Sequence, residues 1–186
     1  MKHIVDDLIR SASWPRVLFS IVILAAYSAF LFRADGDYAT ALAAASALPE
    51  IQPSIPADHS AALAALHDAS AIEAYKRFQY FDIIFALFNF AALSSLIALA
   101  FNRYGLMASP FRFILIAPMI MASADILENI AIVTMITGNP IATHMQPIFT
   151  LIKFLAGAPS TVIAVLSALA LIAYLGAKVA KQNSAQ

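Results

Sequence analysis

Apolar residues fall into four long runs separated by polar stretches. The first, "VLFSIVILAAYSAFLF", covers residues 17–32, and Trp14 and Arg33 extend it towards two interfaces. The second contains "FDIIFALFNFAALSSLIALAF". Two more follow, at about 111–136 and 147–175. About 20 apolar residues in a helix cross a hydrocarbon core of about 30 Å, and longer runs are accommodated by tilt. The pattern therefore predicts four membrane-spanning helices, at about 15–33, 79–101, 111–136 and 147–175. The fold class expected is all-α, a transmembrane four-helix bundle forming a single membrane domain over residues 1–186.

Between spans one and two lies a loop of more than forty residues, 34–78. Such a length is too great for a bare linker. "DYATALAAASALPE" has helical composition and ends at a Pro-rich break. "ADHSAALAALHDASAIEAYKRF" reads as a second helix, with Asp58 as its N-cap, running on into span two. This loop is expected to form a helical extracytoplasmic cap over the bundle.

Composition supports the membrane reading. The chain has 186 residues, of which 62% are hydrophobic and 12% charged, against about 25% charged in soluble domains. No cysteine is present, so disulfides, thiolate metal sites and cysteine nucleophiles are excluded. Net charge is zero and no long basic run occurs, so nucleic acid is not an expected partner. No phosphate-binding loop, dinucleotide fingerprint or HExxH motif is found, and no cofactor is expected. Asp6 and Asp7 in the leading region are unlike a signal peptide, so the first run is expected to be a retained span.

Lys and Arg positions orient the bundle. With four spans, Lys2, Arg10, Arg16, Arg103, Arg112, Lys178 and Lys181 fall on one side, and Arg33, Lys76 and Arg77 on the other. Both termini are accordingly expected in the cytoplasm.

Against this background, "SADILENIAIV" places Asp125, Glu128 and Asn129 inside span three. Residues at i, i+3 and i+4 share one helix face. On span two, Gln79, Asp82 and Asn89 share a face. On span four, Gln146, Thr150, Lys153, Gly157 and Ser160 form a stripe. In an antiparallel bundle Asp82, Glu128, Asn129 and Lys153 come to similar depth in the outer half. A charge at mid-bilayer costs about 2.5–3.5 kcal/mol on insertion scales. These groups should therefore face each other, with Lys153 paired to Glu128, Asp125 or Asp82. Three carboxyls against one ammonium leave negative charge to be settled by protonation, by Lys76 and Arg77 leaning inward, or by a bound cation.

The expected catalytic set is Asp125, Glu128, Lys153 and Asp82, with an acid/base carboxyl and Lys153 stabilising negative charge. Asn129, Asn89, Tyr80, Gln79, Thr150 and His67 are the candidate ligand-binding residues. Tyr27 and Tyr80 are placed to cap the polar site. No metal site is expected, because no histidine pair among His3, His59, His67 and His144 has the i, i+4 spacing of a helical site. Pro118, Pro147 and Pro159 read as kinks or helix starts, and a kink at Pro118 would open space beside the cluster.

The pairing of "YFDIIFALFNF" with "ADILENI" resembles a pattern in uncharacterised bacterial four-span membrane proteins. There an aromatic-x-D motif on span two faces a D-x-x-E-N motif on span three; the matching positions here are Tyr80, Asp82, Asp125, Glu128 and Asn129. The resemblance implies a fold and no activity. The architecture alone is also similar to the emopamil-binding and sigma-2 receptor group of sterol-handling proteins, which transfers no site residue. Three functions fit: a site binding or transforming a lipid- or isoprenoid-like amphiphile, a proton or ion pathway, and a structural subunit of a membrane complex. Membrane lipid, an amphiphilic small molecule, a second copy of the chain and a membrane protein are the partners these imply.

Overall fold

The computed structural model describes residues 2–44 and 69–184. Six α-helices occur in them: α1 Lys2–Arg10, α2 Trp14–Leu31, α3 Asp37–Ala44, α4 Ala69–Arg103, α5 Ile116–Ile136 and α6 Pro140–Asn183. No strand occurs among the described residues. Four helical segments are long and apolar enough to cross a membrane, beginning at Trp14, Ala69, Pro110 and Ile141. The chain is a multi-pass membrane protein built as an all-α bundle.

Helix boundaries follow local chemistry. Asn139 precedes α6, and its side chain accepts a hydrogen bond from the Ile141 N–H at 3.0 Å, with Pro140 at the helix start. A side-chain acceptor there satisfies a donor that the first turn otherwise leaves unpaired. Gly105 and Gly138 follow α4 and α5 with φ of 66° and 92°, a left-handed backbone that glycine adopts without steric cost. Two 3-10 turns, Leu106–Ala108 and Pro110–Leu115, then lead into α5. The third span thus begins as a 3-10 turn and becomes α-helical only at Ile116.

Pro118 lies in the first turn of α5, where a missing N–H breaks no helical bond. It is a starting residue and introduces no kink beside the polar cluster. Pro147 and Pro159 lie inside α6, which runs unbroken for 44 residues. At 1.5 Å per residue α6 is about 66 Å long, well beyond the hydrocarbon core. Its C-terminal end carries Lys178 and Lys181 out of the apolar layer.

α4 is the central element, packing against α1, α2, α3, α5 and α6. Two apolar clusters hold the bundle. At one end Val5 and Ile9 of α1, Val17 of α2, Ile97 and Leu99 of α4, Leu115 of the second 3-10 turn and Leu171 of α6 pack together. At the other, Leu31 of α2 and Ala41 of α3 meet Tyr75 and Phe78 of α4 and Ile132 of α5. The first end gathers the basic residues: Arg112 pairs with Asp6 at 3.5 Å, and the Asn102 amide donates to the Ile9 carbonyl at 3.2 Å. We call it the basic end and the other the α3 end.

α1 was not legible as an element in the leading residues. Its Val5 and Ile9, one turn apart, are buried against α4, so the segment is part of the packed bundle. Helical structure is present in the long loop at α3 and from Ala69 onward. Asp58, His59 and His67 lie outside the described residues.

Candidate functional site

The polar residues Asp82, Asp125, Glu128, Asn129, Gln146, Thr150 and Lys153 come from α4, α5 and α6. α5 supplies Asp125, Glu128 and Asn129, all buried. Glu128 is 0% exposed. Its Oε2 pairs with Lys153 Nζ of α6, and its Oε1 accepts from the Thr150 hydroxyl and, at 3.2 Å, from Gln146 Nε2. Lys153 Nζ also pairs with Asp125 Oδ1 at 3.1 Å. Gln146, Thr150 and Lys153 are spaced by four and three along α6, so one helix face delivers all three donors to α5. The ion pair is partnered and hydrogen-bonded on both sides, the condition under which buried charge is tolerated.

A second contact ties α4 to α5: Asn129 Nδ2 donates to Asp82 Oδ2 at 3.0 Å. The amide at i+1 from Glu128 therefore carries the network to the third helix. Two sets of polar contacts thus cross the bundle, Lys153 with Glu128 and Asp125, and Asn129 with Asp82, and Asp82, Asp125 and Lys153 line one cleft. Lys153 takes Glu128 and Asp125 as its carboxylates. Gly157 lets α6 approach α5 closely, since a Cβ there would meet Met121 Sδ at 3.1 Å.

This network opens onto a cleft of about 690 Å³. α2 and α6 both pack on α4, and the cleft lies between the α3 end of α2 and the middle of α6. α4 and α5 form its floor: Phe78, Asp82, Phe85 and Asn89 from α4, Met121 and Asp125 from α5. Phe32 and Tyr38 stand on one side, and α6 supplies Lys153, Phe154, Gly157, Ala158, Thr161 and Val162 on the other. Phe32, Phe154 and Val162 are exposed, so the mouth faces the lipid side of the bundle. Asp82, Asn89, Asp125, Lys153 and Thr161 are the polar and ionic groups of the lining, set among aromatic and aliphatic side chains.

Several expected site residues are placed differently. Tyr80 is 58% exposed and does not line the cleft. Its position next to Phe81 and two residues before Asp82 turns it away from the face that Asp82 uses. Gln79 is buried but also outside the cleft lining, and neither atom of its amide has a hydrogen-bond partner among the described residues. The α4 face that lines the cleft is Phe78, Asp82, Phe85, Asn89, spaced four, three and four, instead of Gln79, Asp82, Asn89. Glu128, Asn129 and Thr150 are buried behind the lining. Tyr27 reaches α4 through its hydroxyl, which donates to the Phe81 carbonyl next to Asp82 at 2.9 Å and joins α2 to α4.

Lys76 and Arg77 do not lean inward. Lys76 pairs with Glu73 at 2.8 Å and Arg77 with Asp37 at 2.8 Å, both at the α3 end. Arg33 pairs with Asp35 at 3.3 Å. No group of three or more potential metal-ligating side chains (His, Cys, Asp, Glu) occurs among the described residues, and His144 is exposed on α6.

Sequence reading missed the aromatic half of the site. Phe78, Phe85 and Phe154 look like packing or lipid-facing residues one at a time. Their signal was their register: each shares a helical row or an adjacent one with a polar residue already singled out. At a significant level, the chain matches no family model, no curated protein and no solved structure.

Proposed function

We propose that this chain binds, within the membrane, a small amphiphilic molecule of lipid- or isoprenoid-like build. The carrying observation is the 690 Å³ lateral cleft whose lining presents Asp82, Asn89, Asp125 and Lys153 among aromatic and aliphatic side chains. Binding sites for small molecules are typically clefts of about 300–1,000 Å³, mostly apolar, with a few placed polar groups. A cleft opening sideways admits a molecule already dissolved in the bilayer. Its apolar body would replace lipid against Phe32, Phe85 and Phe154, and its head would reach the floor.

If the bound molecule is transformed, Asp125 and Lys153 are the ionisable groups of the ion-paired triad that reach the cleft. Glu128 then acts as a positioning residue, holding the Lys153 ammonium while Thr150 and Gln146 hold Glu128. A proton- or ion-pathway reading draws less support. Towards the basic end the network gives way to Ile97, Leu99 and Leu171, all buried in an apolar cluster.

The basic residues at one end favour an orientation with that end and both termini in the cytoplasm of a bacterial inner membrane. The chain has no cysteine, so single cysteines at Asp35 and Ser184 can report sidedness directly. A membrane-impermeant maleimide applied to intact spheroplasts should label the Asp35→Cys variant and spare Ser184→Cys; the reverse would invert the topology.

The binding reading is tested by mass spectrometry of molecules that co-purify with the wild type and with an Ala158→Phe variant. Ala158 lines the cleft from an exposed position on α6, so the added ring fills the cleft without entering the core. A defined molecule carried by the wild type and lost from the variant is the expected result. Identical lipid profiles in both would overturn the proposal.

A further inference from the structure

A second recess, of about 210 Å³, lies between α2 and α4 and shares no lining residue with the cleft. Arg16, Phe19, Ser20 and Ile23 line it from α2, and Phe88, Ala91 and Ser95 from α4. Arg16 lies in the first turn of α2, beside Val17 of the basic-end cluster, so it marks the surface end of the recess. Ile23 and Phe88 mark the deep end, where the Tyr27 and Phe88 rings meet in a T, centroids 5.2 Å apart. From Arg16 to Ile23 α2 rises about 10 Å, which keeps the recess within one leaflet of a core about 30 Å thick.

Polar demand inside the recess is already met. The Ser20 and Ser95 hydroxyls lie 3.1 Å apart, and each also reaches a carbonyl one turn back on its own helix, Val17 for Ser20 at 2.9 Å and Ala91 for Ser95. What remains is an apolar trough with one guanidinium at its surface end. Phe19 on its wall is 68% exposed, so the trough opens to lipid. Arginine lays its methylene stem along apolar surface and keeps its charge at the water boundary. There its planar fork matches a phosphate.

Charge at this mouth is one-sided. Arg16 is exposed, donates to the Ser11 hydroxyl, and has no carboxylate partner among the described residues. Arg10, Arg103, Lys178 and Lys181 of the same end likewise form no ion pair among the described residues. The carboxylate side chains of this end are Asp6, which Arg112 holds at 3.5 Å, and Asp7, exposed on α1. A phosphate arriving at Arg16 therefore displaces no carboxylate. A zwitterionic head brings its own ammonium towards these cations; a head with net negative charge does not.

The geometry points to a site for one anionic phospholipid, with its phosphate at Arg16 and an acyl chain in the trough between Phe19, Ile23, Phe88 and Ala91. A free phosphate gains nothing from the trough. The inference stands apart from the amphiphile reading of the cleft.

The test uses the full chain with its tryptophan moved. Trp14 is the chain's single tryptophan. Trp14→Phe with Phe19→Trp puts a reporter in the trough. Trp14→Phe with Leu166→Trp puts one on the lipid-facing side of α6, where Leu166 is 58% exposed. Each is reconstituted in phosphatidylcholine vesicles with rising amounts of phosphatidylglycerol whose acyl chains carry bromine, which quenches tryptophan on contact. Phosphatidylglycerol should be enriched at the trough reporter about fivefold over its bulk share, the effect of one basic side chain on an anionic lipid. The α6 reporter should show no enrichment, and Arg16→Gln should remove it from the trough. Equal enrichment at both reporters, or enrichment that survives Arg16→Gln, would mean ordinary annular lipid and overturn the proposal. Should Arg16→Gln not fold, judged by elution and melting, the comparison of the two reporters decides by itself.

Discussion

The two halves of the bundle solve the same packing problem with different materials. Towards the basic end, helices meet through Ile97, Leu99, Leu115 and Leu171. The polar link between α2 and α4 there is a single hydroxyl pair, Ser20 to Ser95 at 3.1 Å. Towards the α3 end, α4, α5 and α6 are joined by an ammonium, three carboxyl groups, two amides and a hydroxyl. An ion pair, Arg112 with Asp6, and the Asn102 amide tie α1 to the bundle at the basic end, whereas α2 and α4 meet there through apolar residues and serines. What sets the second half apart is that its charged and amide groups join the spanning helices α4, α5 and α6 to one another. They also coincide with the cleft of about 690 Å³, whereas the recess beside Ser20 and Ser95 in the first half is about 210 Å³. The serines pair with each other, whereas Asp82, Asp125 and Lys153 also line an open space.

The sharpest way to break this comparison is to remove the cation. Lys153→Met leaves Asp125 and Glu128 without their ammonium, and losing one member of a buried ion pair typically costs about 3–5 kcal/mol. Denaturant unfolding in mixed micelles should register that loss. Adding Glu128→Gln to the same chain should recover part of it, because one uncompensated carboxylate is then gone. A loss no larger than that of a serine substitution would mean that the ion pair contributes nothing special.

The matching change at the basic end should be far milder. Ser95→Ala removes one hydroxyl contact, and interhelical hydrogen bonds in a membrane average about 0.6 kcal/mol. An effect comparable to that of Lys153→Met would erase the distinction between the halves. Smallest of all should be Ala158→Phe, within about 0.5 kcal/mol of wild type, as expected for an exposed position away from packed groups. A large destabilisation there would show that the cleft is closed by packing and not available to a ligand.

Much of the architecture was legible before any coordinates. Four apolar runs of spanning length, separated by polar connections, specify four helices because a backbone in hydrocarbon must satisfy its own hydrogen bonds. The pairing of Lys153 with acids was legible too. Charges one or two turns apart on three spans cannot all face lipid, and antiparallel order brings them to one level. The spacing of Gln146, Thr150 and Lys153 on α6 even identified the face that meets Glu128.

Other features depended on rotation and approach, which periodicity alone does not settle. Both Gln79 and Phe78 lie within one residue-step of the Asp82 face, yet Phe78 lines the cleft and Gln79 is buried elsewhere. A helix turns 100° per residue, so neighbouring rows differ by less than the uncertainty of a sequence-based face. Burial of α1 against α4, and the engagement of Lys76 and Arg77 at the rim, required contacts between segments distant in the chain. By itself the sequence determined the membrane class, the four spans and which acids and lysine must find one another, because desolvation penalties act on residue type and spacing. Only the tertiary structure decided which carboxylates hold Lys153, that Glu128 stands behind the site, and that a cleft exists at all, because these depend on how far apart two helices settle.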